Sequence, residues 1–119
     1  MEILTKENIL GADDLKRDLV SVPEWGGHVY VRTMTGAERD DFETSMLDRK
    51  GRSRADAMKN IRSRLCVLCL VDDKGHQLFN RQDVERLSEK SASALDRVFT
   101  KAQQLNGLSG EDVEELAKS

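Results

Sequence analysis

The sequence predicts an α+β fold, mostly helical, in which four to six short helices accompany an N-terminal β-hairpin, with room for a second, smaller hairpin. Three observations lead there. Val20 and Val22, then Val29 and Val31, alternate with other residues on either side of Trp25-Gly26-Gly27, the period-2 signature of two half-buried strands around a turn. Thr35-Gly36-Ala37-Glu38 has the spacing of a capping box, in which hydroxyl and carboxylate each satisfy a backbone N–H at a helix start. Leu95, Val98, Phe99, Ala102 and Leu105 recur at helical spacing and mark one apolar face. A length of 119 residues suits one small domain over 1–119.

Taken in order, Thr5 ahead of Lys6-Glu7-Asn8 starts a short helix over 6–12, with Ile9 and Leu10 apolar, before Asp13-Asp14 breaks the pattern. In the hairpin, a loop of two residues (Gly26-Gly27) or of four (Glu24 to Gly27) leaves all four valines on one face. The longer loop is favoured because it spares Pro23 a hydrogen-bonded position that it cannot fill. The helix capped by Thr35 begins near Gly36, runs through the i,i+4 pair Phe42 and Met46, and reaches about Lys50, where Gly51 interrupts. After a loop at Gly51-Arg52-Ser53, Ser53 caps a third helix. Its stripe of Met58, Ile61, Leu65 and Leu68 is the most hydrophobic part of the chain, so this helix is expected at the centre and ends near Cys69.

Asp72-Asp73-Lys74-Gly75 is a turn sequence between Leu70-Val71 and Leu78-Phe79, where the second hairpin would close. Asn80 stands three residues before Asp83 and opens a helix that turns Val84 and Leu87 inward and ends near Lys90. Ser91 then opens the striped helix, which Asn106-Gly107 stops. Ser109, three residues before Asp112, opens a last short helix through Val113 and Leu116.

The net charge of −3 conceals segregation: residues 1–48 hold five Lys/Arg and eleven Asp/Glu, residues 49–64 seven and one, and residues 65–119 seven and ten. A basic middle between acidic flanks suggests complementarity within the fold or between copies. No run approaches the roughly 20 apolar residues of a membrane span, and the N-terminus lacks the basic-then-apolar order of a signal peptide, so the expectation is a cytoplasmic protein without membrane contact. Two cysteines fit a reducing compartment. One proline and five aromatic residues argue against a Pro-rich linker and against a large aromatic pocket.

Little in the chain supports catalysis, metal or cofactor binding. Cys66 and Cys69 have CxxC spacing, but a lone pair cannot complete a four-ligand zinc site, and they read better as small apolar residues of the central helix. His28 and His76 follow or adjoin turns with no nucleophile placed near them by motif. Asp72-Asp73-Lys74-Gly75 lacks the alternating ligands of a calcium loop, and Gly26-Gly27 belongs to no phosphate-binding pattern. Arg49, Lys50, Arg52, Arg54, Lys59, Arg62 and Arg64 form the one feature pointing to nucleic acid, the basis of an alternative reading as a small helical DNA-binding or regulatory module. The acidic total and the absence of aromatics in that run favour an acidic protein surface as its partner, through Arg52, Arg54 and Arg62.

Three stretches, LTKENILGADDLK, VPEWGGHVYVRTMTGAERDDFE and LFNRQDVERLSEKSASALDRVFTKAQQLNGLSGEDVEELAKS, make the chain resemble the tail assembly chaperones of long-tailed, non-contractile bacteriophages, the siphoviruses, over nearly its whole length. The basic segment adds nothing to this likeness. The resemblance implies a non-enzymatic factor in the cytoplasm of the infected host. It would bind the tape measure protein, keep that long helical chain soluble, help recruit tail tube subunits, and leave before the virion matures. It also implies a longer form made by ribosomal frameshifting, with a chain ending at Ser119 as the short form.

A tape measure helix exposes apolar stripes, and a binder must accept them in many registers. Methionine is flexible and polarizable, so Met34, Met46 and Met58 are candidates for an adaptable surface, with core filling as the other reading. Many copies along one client would associate, and the hairpin carrying Trp25 and Tyr30 offers a strand edge for self-association.

Overall fold

The computed structural model describes residues 2–46 and 60–108. Among these, five α-helices and three strands run in the order α1 (Lys6–Leu10), β1 (Arg17–Val22), β2 (Gly27–Arg32), α2 (Gly36–Met46), α3 (Ile61–Cys69), β3 (Leu70–Val71), α4 (Val84–Ser88) and α5 (Ala92–Leu105). The α+β class and the N-terminal hairpin are as expected.

β1 and β2 pair antiparallel with Val20 opposite Val29 and Val22 opposite Gly27. The connection is therefore four residues, Pro23 to Gly26, one position earlier than the Glu24-to-Gly27 loop expected from sequence. The shift is an even step in the pairing sum, so the valine face survives: Val22 and Val31 are fully buried, and Val20 and Val29 pack against the same core. Pro23 opens a 3₁₀ turn outside the ladder, and Gly26 closes it at φ 76°, a left-handed conformation that glycine adopts without penalty.

The helix starts follow their caps. Thr5 Oγ1 accepts from the Asn8 N–H while Asn8 Oδ1 accepts from the Thr5 N–H, and Thr35 with Glu38, and Asn80 with Asp83, repeat the reciprocal arrangement. The Asn80 box opens a 3₁₀ turn over Arg81–Asp83 before α4. Ser91 Oγ accepts from the Ala94 N–H to open α5.

α3 lies at the centre, as its composition predicts. Ile61, Ser63, Leu65, Cys66, Val67 and Cys69 are buried, so α3 is covered on nearly all sides. It packs against α5, α4 and α2, while α5 also supports the valine face of β1 and β2. Phe42 and Met46 of α2 and Leu95, Val98 and Ala102 of α5 complete the core.

One sequence expectation is corrected. α3 begins at Ile61, because Asn60 sits in the left-handed region (φ 58°) and interrupts any helix running through from Ser53. The second hairpin forms in short form: Val71 bridges Gln77, the Asp72 N–H donates to the His76 carbonyl at 2.8 Å and the Leu78 N–H to the Leu70 carbonyl at 3.1 Å, while β3 also joins the sheet beside β2, giving the order β1-β2-β3. The turn itself forms: Asp72 Oδ1 accepts from the N–H groups of Lys74 and His76, and these backbone bonds hold its carboxyl below the ordinary carboxylate range. The expected end of the α2 helix near Lys50, the loop at Gly51, the Ser53 cap and the last short helix after Ser109 lie outside the described residues.

Candidate interaction surface

Strand order leaves β1 with one neighbour among the described residues. The Thr33 N–H donates to the Lys16 carbonyl at 2.8 Å, which makes Lys16 and Thr33 a hydrogen-bonded pair. Alternation then turns the backbone groups of Asp18, Val20 and Val22 toward β2, and those of Arg17, Leu19 and Ser21 outward. This outward row is the strand edge anticipated for the hairpin. Lys101 of α5 holds Asp18 at 3.1 Å and Arg97 holds Glu24 at 2.9 Å, so the edge is anchored from below.

Tyr30 lies on β2, in the middle of the sheet, on the face opposite the buried valines. The Arg17 guanidinium sits 4.4 Å above its ring, and exposed Leu19 is its partner across the strands. Tyr30 therefore belongs to the outer face beside the edge and not to the edge itself. Trp25 is half-buried in the 3₁₀ turn and packs against the core. Its ring helps to line a groove of about 840 Å³ with Phe79 and Leu87, rimmed by Glu24, Asp83, Arg86, Glu89 and Lys90.

Met34 and Met46 are core residues, with Met46 fully buried, so core filling describes both and neither is available as an adaptable surface. The reason is packing: the Met34 N–H donates to Asn106 Oδ1, and Phe42 and Met46 share the buried face of α2. Arg62 is exposed on α3 and bonded to Asp96 of α5. Arg64 Nη1 donates to the Ser45 carbonyl at 3.0 Å. These two residues of the basic run thus serve the fold. Met58, Arg52 and Arg54 lie outside the described residues.

Cys66 and Cys69 are buried thiols in α3. Burial pushes the Cys66 thiol well above its ordinary value and the Cys69 thiol up to about 12, so neither forms a thiolate at neutral pH. Cys69 sulfur accepts from Asn106 Nδ2 at 3.7 Å. His28 and His76 are both exposed, but only His76 lies in a turn; His28 is on β2, the hairpin loop closing one position earlier than expected. Among the described residues, no group of three or more His, Cys, Asp or Glu side chains is placed to hold a metal ion, and no helix is long and apolar enough to cross a membrane.

Sequence reasoning missed the state of the N-terminal arm. Ile3 is 91% exposed, Leu10 76%, Leu4 60% and Ile9 58%, and α1 buries no residue. Five helical residues with two adjacent apolar positions carry no stripe from which exposure could be read. The groove was equally illegible, because Trp25, Phe79 and Leu87 come from three separate segments.

A family model described as phage tail assembly chaperone matches residues 6–119. Among solved structures, the tail assembly chaperone of bacteriophage HK97 is similar at 20% identity and a TM-score of 0.60, over 76% of this chain and 85% of that one. At that identity the likeness speaks for the fold. No curated protein sequence matches the chain.

Proposed function

The chain belongs to the phage tail assembly chaperone family, and from that membership we propose that it binds the tape measure protein, keeps it soluble, and helps recruit tail tube subunits around it. It acts in the cytoplasm of the infected host as an assembly factor that makes and breaks no covalent bond, and it is absent from the finished virion. Copies of the chain associate along the client, together with a longer frameshifted form.

The observation that best supports this reading is the groove floored by Trp25, Phe79 and Leu87. An amphipathic helix laid in such a groove buries its apolar anchors, while its polar flanks meet a rim carrying both signs of charge. Arg86, Glu89 and Lys90 supply that rim; Glu24 is engaged by Arg97 and Asp83 by the Asn80 cap. A mixed rim discriminates weakly between charge patterns, which suits a client with many registers.

Co-expression tests the proposal. A tape measure fragment made alone should sediment with the insoluble fraction, and with the chain it should remain in the supernatant and co-purify. Phe79→Ala should weaken retention of the fragment while circular dichroism reports an intact fold. A fragment that sediments equally with and without the chain would refute the reading.

A further inference from the structure

We propose that the N-terminal arm of one copy pairs, through residues 2–5 ahead of α1, with the free edge of β1 in a second copy. The inference takes from the proposed function only that copies associate. The arm is ordered yet buries nothing among the described residues: α1 is fixed by the reciprocal Thr5 and Asn8 cap and has no buried residue, and Ile3, Leu4, Ile9 and Leu10 are all exposed. Immediately ahead of α1, Thr5 is extended at φ −93° and ψ 170°, and residues 2–4 belong to no helix or turn. A strand sends successive side chains to opposite faces, so on joining a sheet Ile3 and Leu4 would cover both of its faces.

The β1 edge has the matching requirement. Arg17, Leu19 and Ser21 direct backbone N–H and C=O groups outward, and Leu19 is 53% exposed beside them. A helical client has its backbone groups already paired and cannot satisfy this row; an extended segment can. Charge selects the arm as that segment. Residues 2–14 carry Glu2, Glu7, Asp13 and Asp14 against Lys6 alone. β1 is entered through Lys16 and Arg17, while the nearby carboxylates of Asp18 and Glu24 are neutralised by Lys101 and Arg97. Arm and edge are different surfaces, so the contact is heterologous and each copy keeps one donor and one acceptor.

Light scattering coupled to size exclusion tests this without any client, so its outcome is separate from client binding. Two variants divide the surfaces. Deletion of residues 2–10 removes the arm and leaves the edge. Ser21→Pro blocks the edge and leaves the arm, and because the Ser21 N–H points outward it costs no bond to β2. The full chain should form concentration-dependent higher-mass species, each variant alone should be monomeric, and an equimolar mixture should form heterodimers and nothing larger. Ile3→Asp with Leu4→Asp should reproduce the deletion, and Leu19→Lys should reproduce Ser21→Pro, each with an unchanged circular dichroism spectrum. A full chain that stays monomeric overturns the proposal. So does self-association of the deletion variant, which would mean edge-to-edge pairing, or of Ser21→Pro, which would mean arm-to-arm pairing, or a mixture that fails to form heterodimers.

Discussion

The Arg32 guanidinium donates to both carboxylate oxygens of Glu38 at 2.7 Å, joining the end of β2 to the first turn of α2. Glu38 also accepts from the Thr35 N–H and from Gln77 Nε2, so one carboxylate closes a helix cap, an ion pair and a link to the turn after β3. Both side chains of the pair are mostly buried, which lifts it above the small value of a surface salt bridge. Glu38→Ala should therefore destabilise the fold by about 2–4 kcal/mol, the sum of a lost cap and a stranded, part-buried guanidinium. Urea denaturation checks this, and Arg81→Ala, which breaks an exposed pair with Asp41, should change stability by less than about 1 kcal/mol in the same assay.

Asn106 closes the core beside this cluster, accepting from the N–H next to the one that Glu38 binds. Its Oδ1 accepts from the Met34 N–H, its Nδ2 donates to the Ala102 carbonyl and to Cys69 sulfur, and its own carbonyl accepts from Arg39. Asn106→Ala leaves the Met34 N–H without its side-chain acceptor and should cost about 1–3 kcal/mol. Thermal melting followed by circular dichroism measures the loss.

The valine and leucine positions should separate sharply. Leu65 is fully buried in α3, and Leu65→Ala should cost about 2–5 kcal/mol by leaving a cavity at the centre. Leu19→Ala, on the exposed face of β1, should change the stability of the monomer by less than about 0.5 kcal/mol.

The two thiols predict a fall in stability at high pH. Their folded values lie above the ordinary 9.0, with Cys69 at about 12 and Cys66 higher still. Between these limits the unfolded chain releases thiol protons that the folded chain retains, so unfolding becomes easier as pH rises, by about 1.4 kcal/mol per pH unit for each thiol. Below pH 9 the contribution is fully present. Chemical denaturation across pH 8 to about 11 should show a shallower decline in a Cys66→Ala, Cys69→Ala variant than in the parent. Alkylation should reach both thiols only after unfolding.

Local chemistry made much of the fold legible. The caps at Thr5, Thr35, Asn80 and Ser91 each involve residues within three positions, so their spacing alone locates the helix starts. The buried valine face is robust because neither loop choice changes the parity of strand pairing. What stayed hidden depends on distant partners. Leu70-Val71 pairs with β2 as well as bonding back to the Gln77-Leu78 segment, a second partner that local spacing cannot reveal. Asn60 adopts a left-handed conformation that starts α3 at Ile61, a choice that hydrophobic spacing cannot encode. Trp25 was visible as a candidate, but its companions Phe79 and Leu87 stand more than fifty residues away in sequence. Met34 and Met46 show the limit of composition: a flexible side chain serves a core as readily as a surface, and only packing decides.

The shielding of an apolar client is tested most directly by diluting a tape measure fragment from denaturant into buffer containing increasing amounts of the chain and recording light scattering. Scattering should fall as the chain is added and reach a plateau at a fixed ratio of chain to fragment, with a right-shifted curve for Phe79→Ala. Scattering that is unchanged at every ratio would contradict the account.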